Sequence, residues 1–350
     1  MDTPALLWRP LEDATLQCLL CAHFCRIEDG GRGQCGVREN RGGKLFTLSH
    51  DRVAALNLDP VEKKPLFHFL PGTTTLSLGT QGCNLACLFC QNASLSQPPR
   101  LGAAPQGNRI PPQEIVRLAR KSKAASVAYT YSEPTIFFEL MRETAILARE
   151  EGLANIMVSN GFQSPQCLDE LKNLIQAANI DLKSFRDEFY RDICSARLGP
   201  VLKNLAHMKK LDWHLEVTTL VIPEINDSDR ELTDIARFVR DELGRDTPWH
   251  VSRFHPCHQM LEHRPTPLDT LKRAYDIGRG EGLHHVFVGN VPNSGLENTF
   301  CPGCGQMVVE RSGFTILRNR LLRGACPGCG QVIIRPENLG PAAQPPENAR

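Results

Sequence analysis

The chain has 350 residues, of which 41% are hydrophobic and 23% charged, with a net charge of +1. This is ordinary globular composition with room for two or three domains and a sizeable core, and it supplies no overall basic field for nucleic acid, leaving only a local patch open. The start M-D-T-P-A-L-L-W-R-P has no basic stretch ahead of an apolar run, and no run of about eighteen apolar residues follows, so a soluble, cytoplasmic, unexported protein is expected.

Of the 14 cysteines, most fall in three local clusters, which in a large unexported chain favours metal over disulfides. Cys167, Cys194 and Cys257 stand outside the clusters and read as core or surface thiols. Residues 1–72 form an N-terminal Cys-rich cap and linker. In C-L-L-C-A-H-F-C-R-I-E-D-G-G-R-G-Q-C-G, Cys18, Cys21, Cys25 and Cys35 have the makings of a tetrathiolate site, with His23 as a fifth possible ligand. Zinc and a second cluster both suit such a donor set. Arg52 to Leu70 reads as a linker packed on a barrel mouth, where Lys63, Lys64 and His68 line the site or face solvent.

Residues 73–292 alternate strands and helices. Predicted strands are 74–79, 126–131, 155–159, 179–183, 215–222 and 249–254, with a last one over 285–289. Predicted helices are 112–123, 135–151, 165–177, 200–210, 229–243 and 267–280, several opening on Pro or after Asp or Ser. The fold class is therefore α/β, a partial (β/α)6 TIM-like barrel, in which working residues lie at the carboxyl ends of the strands.

The end of the first strand carries G-C-N-L-A-C-L-F-C. Cys83, Cys87 and Cys90, spaced C-x3-C-x2-C, supply three thiolates; a four-iron cluster has four corners, so one iron stays open for chemistry. The same spacing is also a helical stripe, but Gly79 and Gly82 point to a loop leaving a strand. The Pro/Gly-rich stretch 97–112 reads as a mobile flap. The second strand ends in T-Y-S-E-P-T, placing Glu133 at the tip beside Thr130 and Ser132 as an acceptor for a ligand ammonium group. The third ends in S-N-G, where Ser159 and Asn160 offer hydrogen bonds beside a permissive Gly161.

In N-I-D-L-K the strand period puts Asn179, Asp181 and Lys183 on one face, either as a structural ion pair or as ligand contacts. His214, Glu216 and Thr218 share a face of the fifth strand. W-H-V-S-R-F-H-P brings two histidines, His250 and His255, to one strand's mouth as catalytic candidates. Residues 293–337 hold two C-P-G-C-G knuckles, Cys301 with Cys304 and Cys326 with Cys329, with 21 residues between Cys304 and Cys326: a zinc-ribbon-like pattern of four soft ligands suited to tetrahedral zinc. Residues 338–350 read as a disordered tail.

The cysteine loop resembles the signature of radical S-adenosylmethionine (SAM) enzymes, in which the position before the last cysteine is aromatic, here Phe89. The order C-L-L-C-A-H-F-C, G-C-N-L-A-C-L-F-C-Q-N, Y-T-Y-S-E-P-T, S-N-G-F, I-D-L-K-S-F, H-V-S-R-F-H-P and the two knuckles is similar to the radical SAM component of the AmmeMemoRadiSam system, a relative of the pyruvate formate-lyase activating enzymes. The resemblance spans nearly the whole chain. It implies a [4Fe-4S] cluster whose open iron chelates SAM, with Phe89, Glu133, Ser159, Asn160, Asp181 and Lys183 at the cofactor. It implies also reductive cleavage of SAM to a 5'-deoxyadenosyl radical, a one-electron donor such as flavodoxin or ferredoxin, and links to Memo-type and AMMECR-type proteins. The substrate stays open. Activation of a glycyl-radical enzyme and a non-catalytic metal-bearing binding module are the alternatives.

Overall fold

The computed structural model describes residues 3–291 and 294–340. Pro292, where the barrel was expected to end, and positions 341–350 of the expected tail lie outside those residues. Asn338, assigned to the tail, is ordered: its carbonyl accepts from the Leu70 amide at 2.8 Å and its side chain meets His214 Nδ1 at 3.0 Å. Among the described residues no helix is long and apolar enough to cross a membrane.

One nine-stranded sheet organises the chain. Its long members are β1 (Arg52–Pro60), β2 (Thr74–Thr80), β3 (Ser126–Tyr129), β4 (Ala154–Ser159), β5 (Ala177–Asp181), β6 (His214–Val221), β7 (Trp249–Arg253) and β8 (Val286–Gly289). From β2 to β8 every neighbouring pair runs parallel, in chain order. Strands covered on both faces read as near-continuous apolar runs, as in Ile-Met-Val on β4.

Helices α1 (Pro112–Lys121), α2 (Phe138–Glu150), α3 (Pro165–Leu171), α4 (Asp187–Cys194), α5 (Leu198–Lys210), α6 (Asp229–Phe238) and α7 (Leu268–Gly280) fill the connections. Their starts follow local chemistry: Ser164 accepts from the Cys167 amide ahead of α3, and Ser228 from the Glu231 amide ahead of α6. The predicted helix 229–243 ends as α6 and continues into a π-helical turn, Val239–Leu243. The short helix α4 was not foreseen: Phe189, Tyr190, Ile193 and Cys194 do recur at helical spacing, but eight residues span only about two turns.

Two expectations change. The presumed linker is β1, antiparallel to β2 and in register from Ala55 with Gly79 to Pro60 with Thr74, with a register shift between Val53 and Ala55. The presumed flap is docked: Asn108–Arg109 adds an edge strand to β1, and a Cβ on Gly36 would stand 2.1 Å from the Pro99 carbonyl oxygen.

Strand alternation sorts the core. Val127, Met157, Ile180, Val217 and Val251 belong to the main core, to which buried residues of the covering helices also belong. Ala128, Ile156 and Ala177 face the other way and close on Val61, Leu66, Phe69 and Leu70. The stretch after β1 thus fills the inner face of the sheet instead of lying at its mouth. Pro65 accepts from Asn179 Nδ2 at 2.7 Å, and the His68 amide donates to Glu216 Oε1 at 2.7 Å. Lys64 pairs with Asp59 at 2.7 Å and Lys63 with the same carboxylate at 2.8 Å.

The C-terminal module, strands Thr299–Phe300, Met307–Ser312 and Thr315–Asn319, packs against this filling. Its buried Arg311 donates to the Phe67 carbonyl at 2.8 Å and lies 4.4 Å over the Phe67 ring. His68 meets Thr299 Oγ1 at 3.2 Å and stands 4.5 Å, edge-on, from the His285 ring.

Burial drives both His68 and His285 below the usual imidazole value, His285 to about 4. The unfolded chain protonates these rings below about pH 6.5, whereas the folded chain keeps them neutral to lower pH. Stability is then complete above that value and is lost as pH falls towards 4. The thermal midpoint is expected to drop between about pH 6.5 and 5, less steeply in His285→Phe; equal slopes for the two proteins would refute the assignment.

Candidate functional site

The loop from Gly82 to Cys90 leaves the carboxyl end of β2 without helical structure, so the three cysteines are not a core stripe. Gly82 sits at φ +115°, and a Cβ there would meet Val37 Cγ1 at 2.9 Å, which leaves room for glycine alone. The end of α4 pins the loop: the Ala86 amide donates to the Cys194 carbonyl and the Leu88 amide to the Ile193 carbonyl, both at 3.0 Å. Cys87 is buried, Cys83 and Cys90 half-buried. Cys83 accepts from the Leu85 amide at 3.4 Å and Cys90 lies 3.2 Å from Ser96 Oγ. Three soft donors held on one loop by backbone bonds suit three corners of a four-iron cluster.

A polar network adjoins Cys83. Glu133 Oε1 accepts from Thr135 Oγ1 at 2.6 Å, Ser159 Oγ at 2.8 Å, the Thr135 amide at 3.1 Å and Gln163 Nε2 at 3.4 Å, while Oε2 accepts from the Asn160 amide at 2.9 Å. Burial pushes this carboxyl up from its ordinary value, against the pull of those donors. Asn160 Nδ2 donates to Asn84 Oδ1 at 2.8 Å and lies 3.8 Å from the Cys83 sulfur. Gly161 takes φ +74° with Ile180 Cγ2 2.9 Å from where a Cβ would stand, so the turn after β4 needs its glycine.

On the other side, Lys183 Nζ donates to Asp181 Oδ2 at 2.7 Å and lies 5.6 Å from the Phe89 ring centroid. The ion pair foreseen as one of two alternatives is formed. Asp181 keeps a half-exposed carboxylate, whereas Lys183 is mostly covered. Cys87 is held below the ordinary thiol value, first by a hydrogen bond from Cys194 and then by the Lys183 charge. Glu133, Ser159, Asn160, Asp181, Lys183 and Phe89 therefore gather around one cysteine loop.

The two histidines part company. His250 is not at the mouth: it is buried on the inner face, 2.6 Å from Glu216 Oε2 and edge-on to Phe67 at 4.8 Å. His214 meets Glu216 Oε1 at 3.0 Å, so these side chains form a buried structural hub. The cause is strand length: His250 is the second residue of β7, a strand's depth from its carboxyl end. His255 is exposed beyond that end and borders a cavity of about 470 Å³ shared with Gln91, Phe67, Asn290 and Phe314. Gln91 directly follows Cys90, and Phe314 is the hairpin tip of the C-terminal module. A larger recess of about 540 Å³, between α1 and α2, contains none of the candidate residues.

In the C-terminal module Cys301, Cys304, Cys326 and Cys329 have sulfurs all within 4.8 Å of one another, able to bind a metal. The knuckles repeat the same bonds, Gly305 N to Cys301 O and Gly330 N to Cys326 O, each at 2.9 Å. Cys18, Cys21, Cys25 and Cys35 border one enclosed space with Arg38 and Asn84. His23 Nε2 is taken up by the Asn84 carbonyl at 2.8 Å.

Sequence reasoning missed Asn84, Gln163 and Arg38. The first stands between two cysteines and the second closes S-N-G-F-Q, positions a motif reading passes over; Arg38 gave no signal, since a buried arginine looks like any surface one.

A family model described as the radical SAM superfamily matches residues 77–236. The chain is 43% identical over 312 residues to the uncharacterized protein MJ0808 of Methanocaldococcus jannaschii, covering 88% of this chain and 91% of that one. It is 23% identical to a GTP 3',8-cyclase of Aquifex aeolicus over 67% of this chain and 78% of that one. To the 4-hydroxyphenylacetate decarboxylase activating enzyme of Clostridioides difficile it is 24% identical over 47% of this chain and 52% of that one.

Proposed function

This chain belongs to the radical SAM superfamily, and from that premise we propose that it cleaves SAM reductively and directs the resulting radical at a substrate in the cavity beside His255. The observation that carries the reading is the convergence of three loop thiols with two separate polar networks at the carboxyl ends of β2 to β5. Cys83, Cys87 and Cys90 would hold a [4Fe-4S] cluster, which when bound supplies the electron that breaks the sulfonium bond to give a 5'-deoxyadenosyl radical. Glu133 Oε2, with one donor, has capacity left for an ammonium group. Asn160 and Ser159 fix the turn beside it, and Asp181 offers a half-exposed carboxylate with Lys183 holding its orientation. Phe89 presents an apolar ring of the loop to the Lys183 ammonium.

The finer assignment to the AmmeMemoRadiSam system, with Memo-type and AMMECR-type partners and a flavodoxin or ferredoxin donor, rests on motif order alone. Zinc in the C-terminal four-cysteine site is proposed from its four converging soft ligands. Activation of a glycyl-radical enzyme is the second reading, supported by the Clostridioides difficile relative.

The test is anaerobic reconstitution with iron and sulfide, then dithionite and SAM, with 5'-deoxyadenosine as readout; no product from a cluster shown to be reduced would overturn the proposal. Glu133→Gln is expected to weaken SAM binding by about tenfold to a hundredfold, the scale of a hydrogen bond to a charged group, at unchanged iron content. Unchanged SAM affinity by calorimetry would restrict Glu133 to holding its turn.

A further inference from the structure

The N-terminal thiols form a built site unlike the C-terminal one. Cys18, Cys21, Cys25 and Cys35 line one space together with Arg38 and Asn84. Among the described residues, the C-terminal group alone brings three or more ligand atoms all within 4.8 Å of one another. Four thiolates on one zinc must draw that close, since each sits about 2.3 Å from the ion. Thiolates on different irons of a cluster are spread apart by the inorganic core, so a wider set suits iron and sulfide better than a single ion.

Two side chains aimed at the same space add a second, independent observation. Arg38 is 1% exposed and spends one nitrogen on Glu139, at 3.0 Å, and on the Leu6 carbonyl. Its Nε and Nη1 have no partner, and neither does Nδ2 of Asn84. Buried donors left unpaired are costly. The sulfides of a cluster accept such N–H groups and their negative charge meets the guanidinium, whereas a zinc enclosed by four thiolates offers only the thiolates themselves.

The site also abuts the first one. Asn84 touches the N-terminal space, follows Cys83, and accepts from Asn160. Cys21 bridges to Gln163 of the Glu133 network, and the Ala22 amide donates to the Phe162 carbonyl at 3.1 Å. We propose that Cys18, Cys21, Cys25 and Cys35 ligate a second iron–sulfur cluster, with Arg38 and Asn84 as its hydrogen-bond donors and Asn84 as the contact to the first. This proposal does not rest on SAM cleavage.

The test uses the full chain with Cys83, Cys87 and Cys90 all changed to Ala, reconstituted anaerobically with iron, sulfide and zinc together. It should retain about two or about four irons per chain with matching sulfide, a cluster Mössbauer signature, and zinc at the C-terminal site. Zinc in both cysteine sites, or iron without sulfide, overturns the proposal. Cys35→Ser in the otherwise native chain should lose that iron and keep the first cluster's; if this variant does not fold, the triple variant decides alone. Failure here leaves SAM cleavage by the native protein untouched, so the two readings fail separately.

Discussion

Cys87→Ala is expected to reduce 5'-deoxyadenosine formation to background and to remove about four irons per chain, while the fold survives. Two thiolates cannot hold three corners, and Cys87 is the donor that α4 places deepest, with the Lys183 charge favouring its thiolate. The backbone bonds from Ala86 and Leu88 that shape the loop involve no side chain, so they persist in the variant. Cys194, hydrogen-bonded to Cys87, is the neighbouring thiol positioned to substitute at that corner, which makes Cys87→Ala with Cys194→Ala the informative companion. SAM cleavage surviving in both variants would remove Cys87 from the ligand set. Iron lost only in the double variant would show Cys194 acting as a replacement.

Glu216→Ala is expected to be the most destabilising single change, about 3–5 kcal/mol, because it orphans buried groups on three segments at once. Its carboxylate is fully buried, and its partners are the His68 amide, His214 and His250. Burial alone would raise its pKa, yet the histidine hydrogen bonds and charges hold it well below the carboxylate range. Against a typical total of about 5–15 kcal/mol the loss is a large share. Urea unfolding of Glu216→Ala and Glu216→Gln measures it; Gln keeps the shape and is expected to lose less. A change below about 1 kcal/mol for Ala would mean that water replaces the lost acceptor and that the hub contributes little.

The cysteine loop was legible because its chemistry is local: three thiols within eight residues, behind a glycine whose φ admits nothing larger. The parallel order of β2 to β8 followed from strand and helix periods, which also reflect near neighbours. Arg52–Pro60 escaped the same reading, since mixed polar and apolar residues on an edge-side strand show no clean alternation. His250 was misplaced although the start of its strand was foreseen correctly: as the second residue of Trp249–Arg253 it lies a strand's depth below the carboxyl end, where the filling of the inner face covers it.

Sequence by itself determined the three cysteine groups, the strand-and-helix order and the polar residues at strand ends, because each depends on spacings of a few residues. Only the tertiary structure decided that the stretch after β1 fills the inner face of the sheet, and that Arg311 ties the C-terminal module to it. It alone set the Glu216 hub and brought Arg38 to the N-terminal thiols from a strand whose sequence marks no burial. Those outcomes join segments up to 244 positions apart. Which buried donor meets which acceptor is settled by packing of the whole chain, and no local pattern encodes it.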